Sequence, residues 1–195
     1  MRSKKRLKML FIWILILGAL AAAFFIVRDK TSRWEKESST PDLLSDLTVT
    51  DIESFEISKK GGDTLSFSLD AGKWKLDVSD EKDSEKGNGS DEEHLSSDQI
   101  DQTKAGAAAA SLTGVRLVQT MDNPGDLSEY GLSEPSYTVV IREKSGESVR
   151  MAVGNTNEIT GDVYLYLNDD PSRIYAVSPS VLASLQYGKA EYLKS

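Results

Sequence analysis

The sequence predicts an α+β fold: a single N-terminal transmembrane helix followed by an exterior domain of antiparallel meanders with packed helices. Three observations predict it. Residues 10–27 hold no charge, several later segments alternate apolar and polar residues with period two, and two stretches near 96–114 and 178–185 carry helix start signals.

As a helix at about 1.5 Å per residue, Leu10 to Val27 reaches about 27 Å, close to the roughly 30 Å hydrocarbon core of a bilayer. Arg2, Lys4, Lys5, Arg6 and Lys8 precede it and the first acid is Asp29, so the basic end belongs in the cytoplasm and everything after Val27 outside. A cleaved signal peptide would have an apolar region of about 7 to 15 residues ending at a small-x-small site. Ala19-Leu20-Ala21 and Ala21-Ala22-Ala23 offer such sites, but the apolar run continues through Phe24 to Val27, which favours an uncleaved anchor. The expected organisation is a cytoplasmic tail at 1–8, an anchor at 9–27, a tether at 28–46 and an exterior α+β domain at 47–195.

Composition bounds the exterior part. Without the five cations of residues 1–8, 18 basic groups face 31 acidic ones, a formal −13. Such a surface repels nucleic acid and anionic lipid head groups. The chain has no cysteine, which excludes disulfides, a thiolate nucleophile, a cysteine metal site and lipid acylation at cysteine, so the fold must rest on its hydrophobic core.

After a polar tether whose one large apolar residue is Trp34, Pro41-Asp42 and Leu43-Leu44 permit a helical turn. Val49, Ile52, Phe55 and Ile57 read as a strand, Gly61-Gly62-Asp63 as a reversal, and Leu65, Phe67 and Leu69 as a strictly alternating strand. Ala71-Gly72 turns again into a strand with Trp74, Leu76 and Val78 on one face. Asp80 to Ser96 then breaks the pattern with seven acids, two lysines and one aliphatic, Leu95. It cannot bury enough apolar area to offset its ordering entropy and reads as a disordered acidic loop at 80–96. No register in it meets the ligand spacing of a calcium-binding EF-hand loop. His94, the sole histidine, lies there too, so no histidine base, metal or cofactor is expected.

Ser96 and Gln99 fit a capping box opening an alanine-rich helix that ends near Leu112 to Gly114. Val115, Leu117 and Val118 lead out as a strand. The run Asn123 to Pro135 follows: a turn, one helical turn from Asp126 to Tyr130, a glycine cap at Gly131, Leu132 folding back onto Leu127, and Pro135 preventing the helix from resuming. Tyr130 has no second catalytic group beside it, so this run reads as structural.

Asp126-Leu127-Ser128-Glu129-Tyr130-Gly131-Leu132-Ser133-Glu134-Pro135 resembles the signature of the bacterial domain-of-unknown-function family 4340, in which an aspartate-leucine, a tyrosine-glycine-leucine and a proline recur in this order. Asp51 to Ile57, Gly72-Lys73-Trp74, Met151-Ala152-Val153-Gly154 and Val163-Tyr164 are similar to its other stations, so the likeness covers roughly Leu47 to Tyr187. The resemblance implies a structural role for Asp126, Leu127, Tyr130, Gly131, Leu132, Pro135, Trp74, Gly154 and Tyr164. It also implies one N-terminal membrane segment with an exterior domain, and kinship with auxiliary subunits of ABC-2 type transporters, including those linked to gliding motility. The acidic loop departs from it, standing where family members carry a short proline-containing connection.

The last third repeats the first in outline: alternating strands around Tyr137 to Ile141, Val149 to Val153, Tyr164 to Leu167 and Ile174 to Val177, then Ser178-Pro179 opening a short helix with Val181, Leu182 and Leu185. A three-strand meander followed by a helix thus recurs, which suggests two like halves joined through Val115 to Pro135.

The function expected from these features is a non-enzymatic, single-pass envelope protein whose exterior domain binds or scaffolds an integral membrane partner, with ABC transporter subunits implied by the resemblance. A hydrolase using paired carboxylates is the rival class, since glycoside chemistry needs only two acids suitably separated. A module binding an extracellular polymer through Tyr164, Tyr166 and Tyr175 is the third.

Overall fold

Period-two patterning sets the first three strands. In the computed structural model, which describes residues 42–80 and 93–194, β1 (Ile52–Lys59), β2 (Asp63–Asp70) and β3 (Lys73–Asp80) form an antiparallel meander. Phe55, Ile57, Leu65, Phe67, Trp74, Leu76 and Val78 are buried on one face, while Ser54, Glu56, Ser66 and Ser68 between them are half-exposed. Phe55 lies directly opposite Phe67 with their rings stacked at 4.5 Å, and Trp74 stands edge-on to Phe55 at 5.2 Å. Aromatic pairs of this kind add about 0.5–1.5 kcal/mol beyond their buried area.

β4 (Glu93–Leu95) extends the meander, with Leu95 opposite Leu76 and His94 opposite Asp77. The end of the segment read as an acidic loop is therefore sheet edge. Its one aliphatic residue, Leu95, is 6% exposed and adds to the core. Residues 81–92 lie outside the described ones.

The expected Ser96 to Gln99 contact forms, Gln99 Oε1 accepting from both the Ser96 N–H and its hydroxyl, but no helix follows it. The helix α1 (Gln102–Thr113) starts five residues later than that contact implied, where Asp101 accepts from the Thr103 and Lys104 amides. A second cap won because the Gln102 side chain is committed elsewhere: it accepts from the Trp74 N–H and donates to the Trp74 carbonyl. One amide thus fills the place of a strand residue beside β3 and covers part of its open edge. Ala105, Ala108, Ala109 and Leu112 are the buried face of α1, and their small side chains allow close approach to the sheet.

The largest correction concerns architecture. β5 (Leu117–Asp122) pairs with β9 (Arg173–Val177), β6 (Tyr137–Glu143) pairs with β1, and β7 (Ser148–Thr156) and β8 (Val163–Leu167) fill the interval. The order is β4-β3-β2-β1-β6-β7-β8-β9-β5, and every neighbouring pair is antiparallel. Among the described residues, the α+β reading with two like halves and packed helices gives way to one nine-stranded sheet with few, short helices. Phe55 and Ile57 of β1 stand opposite Ile141 and Val139 of β6, all four buried, so joining these edges merges two apolar faces into one core. Among the described residues no helix is long and apolar enough to cross a membrane. The segment expected to do so, 9–27, lies outside them.

The chain closes on itself at both ends of the described unit. Leu43 donates to the Val115 carbonyl at 2.6 Å, beside an antiparallel bridge between Asp42 and Arg116. After a 3-10 turn at Pro179–Val181 come α2 (Leu182–Leu185) and α3 (Lys189–Tyr192). Tyr192 is fully buried, edge-on to Phe67 at 4.8 Å, and its carbonyl accepts from Asp101.

Candidate functional site

Seven of the nine motif residues meet on the face of the sheet opposite the main core. Asp126 caps a 3-10 turn at Leu127–Tyr130, its carboxylate accepting from the Ser128 amide at 2.9 Å, and these Ser128 hydrogen bonds hold its carboxyl below the usual aspartate range. Gly131 follows at φ +69°, the left-handed conformation predicted for it. The Leu132 N–H bonds back to the Leu127 carbonyl at 2.9 Å and the Gly131 N–H to Ser128 at 3.1 Å, the double closure of a Schellman cap. Leu132 is buried but stands outside the main core cluster, as do Ala152, Ile174 and Ala176. The turn therefore covers a small apolar patch on the second face.

Gly154 sits at the irregularity in the β7–β8 ladder between Val153 and Thr156. A Cβ there would lie 2.2 Å from the Tyr130 carbonyl oxygen and 2.9 Å from Leu132 Cδ2, so only glycine lets the turn seat on β7. The Tyr130 ring meets the Tyr164 ring edge-on at 4.9 Å, and the Tyr164 hydroxyl accepts from Asn157 Nδ2 at 2.6 Å. Asn157 in turn orders the β7–β8 loop, its Oδ1 accepting from the Ile159 and Thr160 amides. Leu127, half-exposed, belongs to the turn, and Pro135 leads from it into β6. Trp74 is not part of this cluster; it lies in the main core on β3. Asn155 and Asn157, which sequence reasoning missed, belong to it. A mid-strand glycine beside two asparagines was the available signal.

Gly131→Ala should cost about 1 kcal/mol, and Gly131→Val more, because the left-handed backbone strains any side chain. The Asn155 side chain, 2.3 Å from where a Cβ would stand, must also swing away. Urea unfolding of the two variants checks this, and equal stability in all three proteins would contradict it.

A second feature is an open polar concavity of about 460 Å³ where the ends of β5, β8 and β9 meet. Its base is Leu167 and Tyr175, both packed against the main core. Asp122 and Arg173 face each other across the β5–β9 ladder, Arg173 Nε donating to Asp122 Oδ1 at 2.6 Å, and this pairing raises the guanidinium pKa further. Ser172 donates to the Asp170 carboxylate through its hydroxyl at 2.6 Å and its amide at 3.0 Å, and these bonds lower the Asp170 pKa. The Asn123 N–H bonds to the Ser172 carbonyl at 2.7 Å and ties the two turns together. The three tyrosines considered for polymer binding do not share a surface. Tyr164 and Tyr166 are half-buried on the face that the 127–132 turn occupies, and alternation places Tyr175 on the other.

No curated protein and no solved structure matches the chain. A family described as a domain of unknown function, DUF4340, matches residues 94–192. That range runs from β4 to α3 and takes in the whole turn, Gly154 and Tyr164, leaving Trp74 and the first three strands outside it. Covering just over half of the sequence and the entire cluster built on Gly131 and Gly154, this match shows that the protein belongs to the DUF4340 family.

Proposed function

We propose that the protein is a non-enzymatic, single-pass envelope protein, with its N-terminus cytoplasmic and its sheet domain outside, where the domain binds and scaffolds an integral membrane partner. An ABC-2 type transport system is the assembly that the family resemblance implies. One observation carries the reading: the uncharged run Leu10 to Val27 directly follows five cations and precedes a strongly acidic remainder. Two features of the domain support it. The backbone is tied down at Asp42 and Leu43, which pair with Arg116 and Val115 in the segment just before β5, so the start of the described domain is anchored to its body. Tethering also raises the effective concentration of the domain toward a membrane neighbour, so a weak contact suffices for assembly.

The hydrolase reading finds less support. A glycosidase needs a general acid with a raised pKa, whereas Asp170 in the polar concavity is shifted downward by its Ser172 hydrogen bonds. Protease added to intact protoplasts should digest the domain beyond Val27, and crosslinking in cells should recover an integral membrane protein with it. Complete protection of the domain would overturn the orientation. A soluble domain, released before Leu47, that restored the cellular role would overturn the scaffold.

A further inference from the structure

We propose that the concavity between the ends of β5, β8 and β9 is a binding site for a neutral saccharide. It does not rest on the reading of a membrane partner. Its volume, about 460 Å³, lies within the range of small-molecule sites. Its lining is mainly polar, five of seven residues carrying hydrogen-bonding or charged side chains, with a small apolar contribution from Leu167 and Tyr175. Leu167 and Tyr175, held in place because both pack on the core, offer a small apolar edge against which part of a pyranose can rest.

The rim supplies donors and acceptors side by side. Asp122 and Arg173 are 60% and 54% exposed, and an ion pair that open to water contributes little to stability. It does fix an acceptor and a planar donor group next to each other, and two neighbouring hydroxyls, each both donor and acceptor, match that pair. The side-chain amide of Asn123 lines the same space and has no hydrogen-bond partner among the described residues. It adds one donor and one acceptor. Opposite, Asp170 is held by Ser172, so its carboxylate is already oriented before a ligand arrives.

Charge selects the class of sugar. Two carboxylates and one guanidinium leave the rim formally negative on a strongly acidic protein, which disfavours uronic acids and phosphorylated polymers. Arg173 lines the rim beside Asp122, so a ligand meets both signs of charge. Hydroxyls are the groups that satisfy both signs at once.

The test uses the full chain in detergent, with saturation-transfer NMR against three neutral probes, cellotriose, mannotriose and chitotriose, and one acidic probe, trigalacturonate. At least one neutral probe should bind saturably and trigalacturonate should not. Asp122→Asn and Arg173→Gln should each weaken binding about tenfold, the expected loss of a charge-assisted hydrogen bond, with an unchanged melting temperature. In the wild-type protein the amide resonances of Asn123, Ser172 and Arg173 should shift on titration, a readout independent of any variant. Failure of all three neutral probes to bind, equal binding of trigalacturonate, undiminished binding in both variants, or shifts confined to other parts of the domain would each overturn the proposal.

Discussion

Gly154→Val should destabilise the domain by roughly 3 kcal/mol or more, at the upper end of what overpacking costs. The added carbon would stand 2.2 Å from the Tyr130 carbonyl oxygen, a backbone atom that cannot rotate away as a side chain can. That carbonyl belongs to a turn pinned at its start by Asp126 and at its end by the Gly131 and Leu132 amides. Relief therefore requires the whole turn to lift off β7, exposing Leu132 and breaking the Tyr130–Tyr164 contact. Urea unfolding with near-ultraviolet dichroism measures both parts, since the tyrosine signal should fall with the midpoint. A loss below about 1 kcal/mol would mean that the turn is not a fixed part of the fold.

Tyr192→Ala should cost about 3–5 kcal/mol, the range for deleting a large buried aromatic. The ring is fully buried against Phe67, and the neighbouring backbone is tied to the start of α1 through the Asp101–Tyr192 and Lys194–Gln99 hydrogen bonds. Emptying this position loosens the last described residues and the helix together. Tyr192→Phe should be nearly neutral at pH 7, because it forfeits only a long hydroxyl contact to the Ser184 carbonyl at 3.4 Å. The two proteins should separate in alkali. Burial pushes the Tyr192 phenol up to about 12 from an ordinary 10.0, so the folded state keeps a proton that the unfolded chain releases. Its contribution is fully present below pH 10 and is lost as the pH rises toward about 12. Thermal melts between pH 9 and pH 12 should show a steeper decline for the wild-type protein than for Tyr192→Phe. Parallel declines would place the phenol in contact with water.

Local structure was far more legible in the sequence than its assembly. Alternation at Leu65-Ser66-Phe67-Ser68-Leu69 names a strand and its buried face because side-chain direction depends only on the next peptide unit. The turn at 127–130 and the left-handed Gly131 were legible for the same reason, since capping is completed within six residues. Which edges meet is a different kind of question. β1 presents a buried apolar face equally suited to several partners, and its choice of β6 rests on the packing of Phe55 and Ile57 against residues more than eighty positions away. The meanders read as halves became one sheet on that account. The polar concavity was hidden for a related reason: Asn123 and Ser172 are each recognisable as turn residues, but only the β5–β9 pairing brings them together. Gln102 escaped notice because nothing in a helix-opening glutamine announces that its amide will stand in for a strand.

The position of β5 governs the order in which the chain can finish folding during synthesis. β5 precedes β6 in sequence but its neighbour in the sheet is β9, the last strand to be made. Until Arg173 to Val177 emerge, β5 has no ladder and the buried face of α1 lacks the packing that Val177 and Val181 bring to the core, although β1 can already pair with β6. Closure at such sequence separation is slow, and unpaired edges left open in the meantime invite pairing with other chains. Truncation before β9 should therefore leave an aggregating fragment rather than a smaller sheet. If the domain is delivered across a membrane, the same topology keeps the emerging chain from locking into its final sheet before nearly all of it has passed.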